Sequence, residues 1–215
     1  WVDHPAVVRM LHVDIHDDGM LYQVQELASG EPLSAALRRT LMFSPGATAR
    51  VVQHLAEALT AVHAAGVVHR DLKPPNVILT KEEPGLRLVD FGIAKRADDE
   101  PGSDDATAHD ALTQTGHIVG TLRFMSPEQR MGVEVGPPAD LYALGVLTHM
   151  LVTGRHHQRG WQELPGTLER LGQACIRVDP ASRPLAETVA VQARDYADAL
   201  GTPPLHELVR DDKLA

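Results

Sequence analysis

The chain reads HRDLKPPN over residues 69–76 and VDFGIAK over residues 89–95. These polar stretches interrupt three short apolar runs: VVH at 67–69, VILT at 77–80 and LRLVDF at 86–91. Runs so short and apolar fit strands buried against something larger, with loops at their ends free to carry function. An unpaired charge at the mouth of a buried strand is costly. Asp71, Lys73, Asn76 and Asp90 must therefore gather around something charged, and any fold this chain adopts has to bring both loops to one place.

The residue types indicate what that is. An amide oxygen from Asn76 and a carboxylate from Asp90 suit a hard cation such as Mg²⁺, which takes oxygen ligands and shares them with phosphates. Lys73 supplies a point charge for a phosphoryl group in transfer, and Asp71 a carboxylate that can orient and deprotonate an attacking hydroxyl. Phosphoryl transfer asks for little beyond positioning and charge neutralisation.

Around these motifs the pattern predicts an α+β chain, opening in β structure and continuing mainly as helix. Residues 6–27 hold two β-type runs joined by Asp17-Asp18-Gly19, with Met10, Leu11 and Val13 expected in the core, and ASGEPL follows as a flexible connection. Ser44 as cap, Pro45 at the first position and apolar residues at Val51, Val52, Leu55, Leu59 and Val62 predict a helix that stops at Gly66. Helices are also expected over 140–154, 163–178 and 184–200. Residues 97–117, with six acidic side chains and no Lys or Arg, are expected to be mobile when unmodified.

The 215 residues suffice for one sizeable domain, and a net charge of −9 with no Lys/Arg block argues against nucleic acid or an anionic membrane surface as partner. The longest apolar run, LYALGVLTHMLV at 141–152, is too short to span a bilayer and reads as a buried core helix. The single cysteine, Cys175, reads as a buried thiol in a reducing, cytoplasmic setting. The adjacent His156 and His157 lack a third spaced ligand and read as a solvated loop rather than a metal site.

HRDLKPPN followed by DFG resembles the catalytic loop and metal-binding motif of protein kinases. GTLRFMSPEQ (120–129) resembles their substrate-binding loop, with Ser126 in place of an alanine; ADLYALGVLTHMLVTG resembles the central helix, and DPASRP the closing arginine motif. The style is most similar to bacterial serine/threonine kinases of eukaryotic type. The resemblance implies an ATP- and Mg²⁺-dependent protein kinase (Mn²⁺ serving in some members) acting on Ser/Thr of protein substrates, with a kinase dimer among its assemblies. It implies Asp71 as base, Lys73 on the γ-phosphate, Asn76 and Asp90 as metal ligands, and Thr121 bonded to base and lysine. Ile78 would pack under the adenine and backbone groups of Glu26 and Ala28 would meet its edge. Thr113 and Thr115 resemble activation-loop phosphorylation sites, with Arg70 as phosphate partner helped by Arg123 or Arg96. Glu128 and Arg183 would form a buried ion pair, and Asp140 would hold the turn at His69 and Arg70.

In family terms, residues 1–27 would be the end of a helix and two strands of the small lobe, 28–30 the hinge and 31–215 the large lobe, with an activation segment at 90–128. Some family features have no counterpart here. The Gly-rich loop, the V-A-I-K lysine and its partner glutamate are missing, Lys81 and Lys95 stand out of place, and the region after Gly154 is short. The expectation is a fragment of a kinase domain; the alternative is a catalytically inactive kinase-like binding module. Gln25 occupies the gatekeeper position, where a polar group could read a ligand or bond to a neighbour.

Overall fold

The computed structural model describes residues 2–17, 20–91, 122–157 and 160–215. Strands β1 (Met10–Ile15) and β2 (Leu21–Gln25) make an antiparallel ribbon pairing Val13 with Gln23 and Asp14 with Tyr22. A second sheet has the order β3 (Glu31–Pro32), β4 (Val77–Leu79), β5 (Leu86–Leu88). Residues 6–8 run along the far side of β5: Leu88 N–H donates to Ala6 O at 2.8 Å and Val8 N–H to Leu88 O at 3.1 Å. The chain thus stitches its first residues to the sheet that ends at the polar loops.

Helices supply the rest: α1 (Leu33–Thr40), α2 (Pro45–Ala64), α3 (Pro127–Arg130), α4 (Pro138–Thr153), α5 (Thr167–Cys175), α6 (Ala186–Ala199) and α7 (Leu205–Arg210). The expected α+β class is the one observed. α2 begins where its signals place it, with Ser44 Oγ accepting the Ala47 N–H at 3.3 Å and Pro45 at the first position. It packs along α6 and against α4, burying Val51, Val52, Leu55, Leu59 and Val62. α4 is buried on nearly every side, with Leu141, Leu144, Leu147 and Leu151 in the core. It meets α5 closely: a Cβ at Gly145 would lie 2.7 Å from Cys175 Cβ, so only glycine fits there. Cys175 is buried as read, and burial pushes its thiol up to about 12, against a smaller opposing pull from Arg183. Among the described residues no helix is long and apolar enough to cross a membrane.

Three expectations need correction. Leu11 and Val13 are not core: they are 56% and 38% exposed, and Met10 is only half-buried. Their alternation is that of a strand with one covered face, but among the described residues β1 pairs only with β2, and two strands alone enclose no core. Residues 67–69 are loop, not strand. Val67 packs against the hydrophobic core and so ties this loop to the helical body. His156 and His157 are not a solvated loop. His156 is buried, its Nε2 2.8 Å from Arg123 O and its ring edge-on to Phe124, while His157 Nε2 lies 3.3 Å from Tyr142 Oη. The acidic stretch at 97–117 lies outside the described residues.

Burial, with His156, His149 and Arg130 adding to it, lowers His157 from its ordinary 6.5 to about 4. Between those values the unfolded chain takes the proton and the folded one does not, so stability should fall as pH drops from 6.5 to 4. Urea midpoints at pH 7 and pH 5 should separate less in His157→Phe than in wild type; an equal separation would show that this imidazole contributes nothing to the slope.

Candidate active site

The β4–β5 hairpin explains why two distant motifs meet. Its closed end is the turn at residues 80–85, and its register pairs Val77 with Leu88. The residues just outside that pair, Asn76 and Val89, therefore face each other at the open end, and Val89 N–H donates to Asn76 O at 3.0 Å. Asp90 is the next residue along. A single 3₁₀ turn, Pro74–Asn76, then folds the preceding loop back so that Asp71 and Lys73 approach the same end.

The side chains there are interlocked. Lys73 Nζ lies 2.8 Å from Asp71 Oδ2. Asn76 Nδ2 donates to the same oxygen at 3.1 Å and to Asp71 O at 2.9 Å. The amide hydrogens of Asn76 are thus spent on Asp71, and its carbonyl oxygen has no hydrogen bond among the described residues. Asp90 is solvent-exposed and sits at φ 57°, a left-handed conformation that Asp tolerates better than most side chains. Its Oδ1 accepts from Gln25 Nε2 at 2.8 Å. The donor set, two carboxylates and one amide oxygen with an ammonium beside them, fits a divalent cation carrying phosphate oxygens.

Beneath this lies a buried support. His69 is fully buried; its Nε2–H donates to Val89 O at 3.1 Å, its Nδ1 accepts the Asp71 N–H at 3.3 Å, and its ring lies 4.8 Å from that of Phe91. Those partners require a neutral imidazole, and burial accordingly holds it below its ordinary value although Asp140 and the Val89 carbonyl pull the other way. Asp140, in the first turn of α4 and 1% exposed, accepts from His69 N–H at 2.9 Å, Arg70 N–H at 2.8 Å and His63 Nε2 at 2.8 Å. Gln129 Nε2 donates to Arg70 O at 2.9 Å, and Gln129 is itself held by a reciprocal cap with Ser126. Arg183 meets Glu128 with both terminal nitrogens, at 2.5 and 2.8 Å, and also donates to the carbonyls of Pro138, Arg177 and Val178.

Asp71, Lys73, Asn76 and Asp90 are thus brought to one end of one hairpin, with Arg70 adjoining them. Ile78 is half-buried on β4. Glu26 gives its N–H to Arg9 O at 2.9 Å, while the Ala28 backbone is unengaged among the described residues. Thr113, Thr115, Thr121 and Arg96 lie outside the described residues. Sequence reasoning missed His63 and Gln129, whose partners stand 77 and 59 residues away. Only the box pattern Ser126-x-x-Gln129 was visible beforehand.

Comparison with known proteins agrees with this geometry. A family model described as protein kinase domain matches residues 1–164. Among curated relatives, the serine/threonine-protein kinase pkn3 of Myxococcus xanthus is 38% identical over 156 residues, 71% of this chain and 27% of that protein. PknA of Mycobacterium tuberculosis is 35% identical over 163 residues, covering 72% of the chain and 34% of the relative. PkaA of Streptomyces coelicolor is 36% identical over 217 residues, covering 92% and 38%. The chain therefore spans between about a quarter and two fifths of the length of these relatives.

Burial alone would raise the Glu128 carboxyl, but the hydrogen bonds from Arg183, with help from its own backbone and Ser126, outweigh that and hold it below 4.5. Arg183→Met leaves a buried carboxylate without its partner and should cost about 3–5 kcal/mol at pH 7. A carboxyl depressed on folding contributes above its unfolded value and ceases to as pH falls through the folded one, so the cost should shrink below pH 4.5. Denaturant melts of both proteins at pH 7 and pH 3.5 check it; a constant difference would show that the pair is not electrostatic in origin.

Proposed function

The chain belongs to the protein kinase family, and from that membership we propose that it is the catalytic part of a serine/threonine protein kinase. It would move the γ-phosphoryl group of ATP to Ser or Thr hydroxyls of proteins. One observation supports this above the rest: Asp71 Oδ2 is shared by Lys73 and Asn76 at the hairpin end that also carries Asp90. A scaffold that only presented a surface would have no use for that constellation.

In this reading Asn76 and Asp90 would hold Mg²⁺, or Mn²⁺ in its place, which would supply charge neutralisation for the nucleotide phosphates. Asp71 orients the substrate hydroxyl and takes its proton as the oxygen bonds to the γ-phosphorus. The bond from that phosphorus to the bridging oxygen breaks, and ADP carries away the electron pair. The ammonium of Lys73 faces the equatorial oxygens, where negative charge spreads during transfer. Lys73 and Asn76 fix Oδ2 of Asp71, so the carboxylate is aimed before substrate arrives.

The nucleotide reading rests on Ile78 beneath the adenine, with the carbonyl of Glu26 and the backbone of Ala28 at its edge. The Glu26 N–H is already committed to Arg9, which favours its carbonyl as the contact. We assign residues 1–27 to the small lobe, 28–30 to the hinge and 31–215 to the large lobe, with an activation segment at 90–128. Lys73 and Thr121 favour Ser/Thr over Tyr as acceptor, and Thr113 and Thr115 are the proposed autophosphorylation sites, with Arg70 as phosphate partner. A cytoplasmic location and assembly as a kinase dimer complete the proposal.

The test is phosphosite mapping after incubation with Mg-ATP, beside Asp71→Asn. Loss of a general base should lower phosphate incorporation at least about a hundredfold while leaving nucleotide binding in place. Phosphate at equal rates in both proteins would remove Asp71 from the mechanism. Phosphate in neither, with nucleotide or partner binding retained, would favour the non-catalytic binding module.

A further inference from the structure

Gln25 ends β2 and is separated from Asp90 by 65 residues, yet its Nε2 lies 2.8 Å from Asp90 Oδ1. The orientation of that amide is settled by its partner. Turned about, it would set two oxygens against each other at the same distance, so the N–H must face the carboxylate. The cost appears at the other end: Gln25 Oε1 is buried and has no hydrogen-bond partner among the described residues. An amide that leaves its own carbonyl unsatisfied to keep one N–H on a carboxylate is held there by that carboxylate.

The backbone of Asp90 agrees. At φ 57° it is in a left-handed conformation that costs a non-glycine residue free energy, less for Asp than for most, and that its surroundings help to hold. On one side, His69 holds the preceding carbonyl, Val89 O, at 3.1 Å. On the other, Gln25 holds the side chain. With Oδ1 engaged and the backbone fixed, rotation of the carboxylate is blocked and Oδ2 is left as the oxygen to meet a ligand.

We propose that Gln25 is a positioning residue for the divalent cation: it orients Asp90 for metal binding, and does not itself read the nucleotide. This rests on the reading of Asp90 as a metal ligand. An outer-shell hydrogen bond of this kind fixes a ligand's geometry, and its removal typically weakens metal affinity ten- to a hundredfold. Methionine has the length and flexibility of glutamine but no N–H, so Gln25→Met removes the bond and keeps the volume.

The experiment titrates Mn²⁺ into the chain in the presence of ADP, following free Mn²⁺ by electron paramagnetic resonance, with ADP affinity measured separately in the absence of metal. Gln25→Met should raise the Mn²⁺ Kd tenfold or more and leave metal-free ADP binding unchanged. An unchanged Mn²⁺ Kd, or equal losses of Mn²⁺ and ADP affinity, would overturn the role of Gln25. Asp90→Asn distinguishes the two levels of the argument. If wild type binds no Mn²⁺, or Asp90→Asn binds it as well as wild type, the reading of Asp90 fails and the inference goes with it.

Discussion

Everything at the open end of the β4–β5 hairpin depends on one carboxylate that solvent does not reach. Asp140 is an ionisable group in the core of a helical body, a position that is strongly unfavourable without compensation. Two backbone N–H groups and one imidazole are directed at it, and it lies in the first turn of α4, where the helix end is positive. Because two of those donors are the backbone of His69 and Arg70, satisfying Asp140 fixes the loop. The loop then fixes His69, whose Nδ1 accepts the Asp71 N–H and whose Nε2 holds Val89 O, so Asp71 and, one residue past Val89, Asp90 follow. The buried helix α4 and the polar loop at 69–71 are coupled by hydrogen bonds to a single side chain.

Local signals carried much of this architecture. Ser44 and Pro45 announced α2, and Gly154, left-handed at φ 65°, closes α4 where the apolar pattern ends. The motifs at 69–76 and 89–91 identified which residues would meet, and a hairpin between them explains how. What escaped was of two kinds. Helix α1 follows a stretch read only as a flexible connection, and its eight residues have no side-chain cap and no acid in the first turn to announce a start. The placement of Leu11 and Val13 failed for a different reason. Alternation reports that one face of a strand is apolar, but not what that face meets.

The second kind of omission is non-local. Gln25 with Asp90, His63 with Asp140 and Gln129 with Arg70 are each joined across 59 to 77 residues by a polar side chain, and the one local pattern among them, the Ser126-x-x-Gln129 box, says nothing of Arg70. Glutamine and histidine at such positions have no periodicity to betray them. Their roles become visible only in the folded chain, where each side chain meets a partner distant in sequence. His156 and His157 belong here too, since the same two imidazoles would be solvated in an open loop and are structural under Tyr142 and Phe124.

Among the described residues of the site, Arg70 and Asp90 are the two with positive φ, at 64° and 57°, and neither is glycine. A side chain in that region costs of order 1–3 kcal/mol and is retained where neighbouring groups fix it. For Arg70 the fixing groups are explicit: Asp140 takes its N–H and Gln129 supplies a donor to its carbonyl. For Asp90 they are His69 at the carbonyl before it and Gln25 at its carboxylate. Each left-handed residue redirects the chain at the point where a functional side chain must leave it, Asp71 after one and the Asp90 carboxylate at the other. Glycine would adopt either turn without strain, but could provide neither the guanidinium nor the carboxylate. The four polar groups that hold these turns are the physical condition for placing charge there at all.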